Sequence, residues 1–289
     1  KDSVPSGARL VKWLPSEGST LTWTEAIDNG DMSVDKKYHD NTYKLPSPFN
    51  QNKQLIHQAK WRVHNIIWGK SGAGVAQEWL YASKQAKASL ISASTSANVL
   101  IEQRDYRDKF NDFGDPQTLR LPEGYEVLVE DDSNIFFLSN GLSEEGIKPT
   151  IKTLNKTNNT RKEYFISSKE SIELPLRVAN NTLIIQTQNV QTAPQYFAIS
   201  STDMNERIPL LTNKNKQYFD KPPTFINYKR SDGLNLSGTL HLPSNYDKAQ
   251  GKIPAVLWIY PDEFNNKELS QQKTVKTNIF RQFDPLSPL

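Results

Sequence analysis

The chain has 289 residues, 36% of them hydrophobic and 10% aromatic, and its 35 basic and 32 acidic side chains leave a net charge of +3. That length carries one large or two ordinary domains. The near-balanced, well-mixed charge gives no electrostatic footprint for nucleic acid or an acidic membrane surface, and no stretch reaches the ~18–20 apolar residues of a membrane-spanning helix. With no cysteine in the chain, disulfides, thiol nucleophiles and cysteine-ligated zinc are excluded.

In chain order, the first two hundred residues repeat one strand–turn–strand unit. Leu10–Leu14 and Leu21–Ile27 flank a turn at Pro15–Gly18, and Asn65–Trp68 and Val75–Ala82 flank Gly69–Gly74. Tyr125–Val129 and Ile135–Leu138 flank Glu130–Asn134, and Leu176–Val178 and Thr182–Gln186 flank Ala179–Asn181. Further strands are expected at Lys87–Ile91 and Tyr196–Ile199. The unit returns every roughly 50–60 residues, the spacing of four-stranded propeller blades. A β-sandwich has strands at similar spacing, but a repeat at this long period favours the propeller. The Ala- and Ser-rich Gln85–Ser96 could be helical by composition, yet its place in the repeat favours strand and loop.

The local motifs fall mostly to bland readings. Gly69-Lys70-Ser71 lacks the leading glycine of a phosphate loop, because that position is His64, so it reads as a turn. Asp112-Phe113-Gly114 has no kinase partner motifs and reads as a polar turn. His39, His57, His64 and His241 show no metal-ligand spacing. Glu130-Asp131-Asp132 reads as a solvated hairpin tip rather than a cation site. The six tryptophans, Trp13, Trp23, Trp61, Trp68, Trp79 and Trp258, read as strand-face core rather than a stacking platform.

The texture changes at Pro222. Phe225–Lys229 and Leu234–Leu242 alternate around Ser231-Asp232-Gly233, a hairpin signature. Beyond Pro243, the unbroken run Ile253–Tyr260 suits a strand buried on both faces, as in a sheet covered by helices. The expected fold is mostly β: a partial β-propeller with about four blades visible, followed by the first strands of a second, helix-covered domain. The boundary places residues 1–221 in the propeller and 222–289 in the second domain, which the resemblance described next implies to be the start of an α/β-hydrolase domain.

Three stretches carry a family resemblance: Ser19–Asp31, Asp105–Pro116, and the segment holding Tyr228–Gly233, Leu240–Pro243 and Pro254–Pro261. Together and in order, they resemble the prolyl oligopeptidase family of serine peptidases, in its glutamyl-endopeptidase-like branch. The resemblance implies a propeller capping an α/β-hydrolase domain and a peptide substrate, with no metal or organic cofactor. Bacterial relatives of the branch are often exported, so a periplasmic or secreted location is the corresponding expectation. The hydrolase domain needs a Gly-x-Ser-x-Gly elbow followed by Asp and His. No Gly-x-Ser-x-Gly occurs here and no histidine follows His241. The triad is therefore expected beyond Leu289, with this chain inactive alone. The resemblance implies one catalytic group: Tyr260, at the end of the apolar run, matches a tyrosine whose hydroxyl donates to the oxyanion. Here Pro261-Asp262-Glu263 follows it, unlike the usual relatives. The alternative from another class is a non-catalytic propeller module that binds a peptide or protein partner.

Overall fold

The computed structural model describes residues 2–164, 171–179, 182–200, 206–213, 223–243, 245–259, 264, 266–272 and 279–280. Its contacts divide into two compact units: Lys1–Ser139 with Ile151–Phe165, and Asn140–Thr150 with Ile166–Leu289.

In the first unit, β1 (Arg9–Trp13), β2 (Thr20–Ala26), β3 (Asp40–Pro46) and β4 (Gln54–Ala59) form an antiparallel meander in chain order. On β2, Thr20, Thr22, Thr24 and Ala26 are buried while the residues between them are half-buried, the period-2 pattern of a strand against a packed face. Lys60 and Trp61 alone lead from β4 into a second meander, β5 (Arg62–Trp68), β6 (Ala73–Leu80), β7 (Gln85–Ser92) and β8 (Asn98–Asp105). The segment that could have been helical by composition is thus strand β7.

The second sheet is buried on both faces. Ala76 and Ile91 join Leu14 of the first sheet in one apolar cluster. Val75 and Leu90, one residue away on the same strands, join Phe137 and Leu154 of the third sheet and Phe113 just ahead of it in another. A single sheet can bury one set of alternating side chains only against a neighbour, so stacked meanders are the physical content of the blade repeat.

The third sheet is less regular. It is built from β9 (Asp115–Pro116), β10 (Thr118–Arg120), β11 (Glu126–Leu128), β12 (Asn134–Ser139), β15 (Thr150–Asn155) and β16 (Arg161–Glu163). Its four-stranded order is β16-β15-β12-β9, with β10–β11 as a separate pair. The hairpin β13 (Leu142–Ser143) and β14 (Gly146–Ile147) between β12 and β15 falls in the second unit. Here the expected pairing of Tyr125–Val129 with Ile135–Leu138 is corrected. Both segments pair with the same preceding strand: Leu128 lies opposite Thr118, and Phe137 opposite Pro116. Gln117 joins the two halves, its N–H donating to Phe136 O (2.8 Å) and its carbonyl accepting from Val129 N (2.8 Å). Glu130–Asn134 is a turn looped out of one strand, closed by the isolated bridge Glu130↔Ile135.

In the second unit, β17 (Ile172–Ala179), β18 (Thr182–Gln188), β19 (Gln195–Ser200) and β20 (Arg207–Thr212) make a fourth meander, burying Leu183, Ile185 and Ile199. The hairpin β21 (Thr224–Lys229) and β22 (Asn235–Leu240) forms as the sequence indicates. Gly233 takes the left-handed φ of +83° at its turn, and Asp232 Oδ1 accepts from Leu234 N (3.2 Å). A one-turn helix, α1 (Lys267–Gln271), is capped by the Asn266 side chain.

The chain is thus mostly β, with four-stranded propeller-type blades. One expected strand is corrected. Residues 253–259 form no strand, and Val256, Leu257, Trp258 and Ile259 are 64–82% exposed. A strand apolar on both faces is held by partners on its edges and layers on its faces, and among the described residues none pairs with it.

Candidate functional site

Tyr260, with Pro261–Glu263 after it, lies outside the described residues. Among the described residues, no group of three or more His, Asp or Glu could hold a metal ion, and no helix is long and apolar enough to cross a membrane.

The motif residues singled out from the sequence prove to be ties between blades. Asp28 follows β2 in a turn where Gly30 has φ +81° and a Cβ would collide with the Val4 carbonyl, so glycine is required there. The Asp28 carboxylate accepts from His39 Nδ1 (2.7 Å), Arg62 Nη2 (2.7 Å) and Gly30 N (3.0 Å). Burial opposes its ionisation, but the hydrogen bonds from Arg62 and His39 and the Arg62 charge outweigh burial and hold its carboxyl below the usual range. Arg62 also donates to Asp40 Oδ1 (2.9 Å) and the Asp2 carbonyl (3.0 Å), and Arg9 reaches Asp40 Oδ2 (2.7 Å). Asp28, His39, Asp40 and Arg62 are all buried. The Asp28–His39 couple has the chemistry of a general base with its orienting acid, yet it is committed to a guanidinium, which makes the cluster a structural pin between the first two sheets.

Other motifs resolve in the same way. The Gly69-Lys70-Ser71 turn is fastened by Glu130, which accepts from Ser71 N (2.8 Å) and Ser71 Oγ (2.6 Å) and pairs with Lys156 Nζ (2.9 Å). Asp131 caps its own loop, accepting from Ser133 N and Asn134 N. Burial works against Asp131 ionising, but hydrogen bonds from Asn134 and Ser133 hold its pKa below the usual range. In Asp105–Pro116, Arg104 donates to the carbonyls of Asp105, Tyr106 and Asp108 and pairs with Asp112 (2.8 Å). Phe113 is buried against Phe137, and Gly114, at φ +110°, lies against the Leu138 carbonyl. The Asp112-Phe113-Gly114 turn therefore contributes to the core.

Among the histidines, His57 is buried, with Nε2 3.9 Å from Glu78 Oε1 and no hydrogen-bond partner among the described residues. The tryptophans divide. Trp68 is core, whereas Trp13, Trp79 and Trp258 are exposed, which corrects their reading as core. Trp79 offers no open platform, because His64 stacks on it at 4.1 Å and Tyr106 at 6.5 Å. Asp40 and Arg62 had no signal in the sequence, and Asp28 and His39 none for this role: the four are far apart until two sheets stack.

Comparison with known proteins gives these arrangements their context. No family model matches the chain. It is 27% identical to a probable chloroplastic glutamyl endopeptidase of Oryza sativa subsp. japonica over 99% of this chain, and 24% identical to one of Arabidopsis thaliana over 96%. The chain is thus similar to two probable glutamyl endopeptidases along nearly its whole length. It spans about a third of the length of these curated relatives, 33% and 32%. Among solved structures, dipeptidyl peptidase 4 of Porphyromonas gingivalis matches 83% of this chain and 42% of its own, at 12% identity and a TM-score of 0.46. Oligopeptidase B of Leishmania major matches 78% and 37%, at 10% identity and a TM-score of 0.37. The relatives are peptidases, and Ser19–Asp31 and Asp105–Pro116, which carried the resemblance, serve here as blade architecture.

Proposed function

We propose that this chain is the propeller part and the opening of the hydrolase domain of a serine peptidase that cleaves short or unfolded peptides through an acyl-enzyme. The observation that carries the reading is the identity of 27% across 99% of the chain to a glutamyl endopeptidase. Because the chain matches only a third of that relative, the nucleophilic Ser and its Asp and His are assigned to the part it does not match. Residues 1–221 are the propeller in this reading, residues 222–289 begin the catalytic domain, and the chain alone is inactive. The propeller restricts the approach to the active site, and the relatives' name points to cleavage after acidic residues.

Tyr260 is the proposed oxyanion donor. A phenol aimed at the developing negative charge acts on the transition state more than on bound substrate. In the longer protein, Tyr260→Phe is expected to lower kcat by about 10²–10³-fold with little change in KM. A fall in kcat/KM through KM alone would remove Tyr260 from this role.

A further inference from the structure

After the β21–β22 hairpin, residues 247–259 are exposed throughout, yet Leu269 and Phe280 further on are only 9% and 6% exposed. Leu269 lies in α1, where its N–H donates to Asn266 Oδ1 (3.1 Å). Phe280 is tied to the fourth sheet: its N–H donates to Gln188 Oε1 on β18 (3.1 Å), across 92 residues. Ile172 on β17 lies directly opposite Gln188 and is 4% exposed. Opposed residues share one face of a sheet, so Phe280 is bonded beside a buried apolar position.

Gln188 is itself held by a row of side chains on that face. Its Nε2 donates to Gln186 Oε1 (3.0 Å), and Gln186 Nε2 donates to the hydroxyl of Tyr196 (2.9 Å), the residue opposite Gln186 on β19. Leu183 and Ile185 are buried on the other face of β18. The direction of each bond is dictated from the Phe280 end. A backbone N–H only donates, so Phe280 requires the oxygen of the Gln188 amide. The Gln188 nitrogen must then face Gln186, which answers with its oxygen and turns its own nitrogen to Tyr196. Flipping either amide sets a nitrogen donor against another donor.

We propose that Tyr196 and Gln186 are positioning residues for Gln188, and that this row seats the segment of α1 and Phe280 on the fourth sheet. A lone glutamine carboxamide turns broadly about its last torsion and presents nitrogen as readily as oxygen. The row selects the orientation that accepts, and each bond polarises the next. Tyr196 and Gln186 therefore act on Phe280 through Gln188. The relay stands apart from the peptidase reading; in that reading, the segment it seats belongs to the opening of the hydrolase domain.

Amide hydrogen exchange of the 289-residue chain, resolved at Phe280 and referred to the Ile185 amide on β18, tests the relay. Gln188→Ala removes the acceptor and is expected to raise the Phe280-to-Ile185 rate ratio about tenfold. Gln186→Ala and Tyr196→Phe leave that acceptor in place and should still raise the ratio several-fold. Gln188→Glu offers an oxygen in either orientation, so adding Gln186→Ala to it should leave the ratio unchanged. A ratio unmoved by Gln188→Ala overturns the seat. A ratio unmoved by Gln186→Ala or Tyr196→Phe, or raised as much by Gln186→Ala when Gln188→Glu is present, overturns the relay. Tyr196→Phe keeps its ring in the sheet and decides the matter if Gln186→Ala does not fold. Peptide cleavage by the longer protein is read separately. The predicted exchange without peptidase activity sinks the peptidase reading alone, and activity with unmoved exchange sinks the relay alone.

Discussion

The second sheet, β5–β8, and the fourth, β17–β20, are meanders of the same size and strand order, yet they differ at their surfaces. The second sheet places Val75 and Leu90 in one core and Ala76 and Ile91 in another. The fourth buries Leu183, Ile185 and Ile199, but its edge strand β20 is exposed along its length, with Ile208, Leu210 and Leu211 at 58%, 53% and 61%. The same contrast separates Thr20–Ala26, buried at every second residue, from Val256–Ile259, apolar and exposed. Apolar sequence supplies the means for burial; a neighbouring layer supplies the burial itself.

The largest expected effect tests whether the ties in the first unit are of a different kind from those in the second. Arg62→Met leaves the buried Asp28 without its guanidinium and Asp40 with Arg9 alone, and is expected to cost about 3–5 kcal/mol. Arg207→Met removes an exposed pair with Glu173 on the fourth sheet, for which about 0–1 kcal/mol is expected. Denaturant unfolding of both variants gives the comparison, and equal losses would remove the distinction.

Next comes acid. Burial, and then the Lys87 charge, lower the His57 pKa from 6.5 to about 4. Above pH 6.5 the imidazole is neutral in folded and unfolded chains alike. As pH falls towards 4, the unfolded chain takes up the proton and the folded chain does not, so stability is lost across that window. The loss is roughly 3 kcal/mol. Unfolding midpoints of the native chain and of His57→Gln, followed between about pH 7 and about pH 4, should converge as the native protein loses stability. Parallel curves would show that His57 does not titrate between the sheets.

Much of the blade architecture was legible because it is local. Alternation over Thr20–Ala26 and the Asp232-Gly233 turn specify strand and hairpin without reference to the rest of the chain. The Arg62 pin was not legible, since Asp28, His39, Asp40 and Arg62 meet only after two sheets stack. Phe113 looked like part of a polar turn because its partner, Phe137, is distant in sequence. The pairing of Tyr125–Val129 misled because a loop inside one strand has the same residues as a hairpin turn between two. Ile253–Ile259 has the composition of a buried strand, but composition does not state whether partners are present. Tyr260 rests on resemblance alone, since it lies outside the described residues.

The smallest effect sharpens that last contrast. Leu257→Ser, at a position 82% exposed, should change the stability of this chain by no more than about 0.5 kcal/mol. Ile185→Ala, at a position 0% exposed, should cost about 2–5 kcal/mol. A large loss at Leu257 would mean that the apolar run is packed in solution.

The serine peptidase proposed for this chain would carry its nucleophile in the part of the relatives that the chain does not match. Labelling the longer protein with a fluorophosphonate and mapping the adduct by mass spectrometry tests it directly. One modified serine outside residues 1–289, with hydrolysis of an acidic peptide abolished by the label, is the predicted result. No adduct, or an adduct on a serine within residues 1–289, would contradict it.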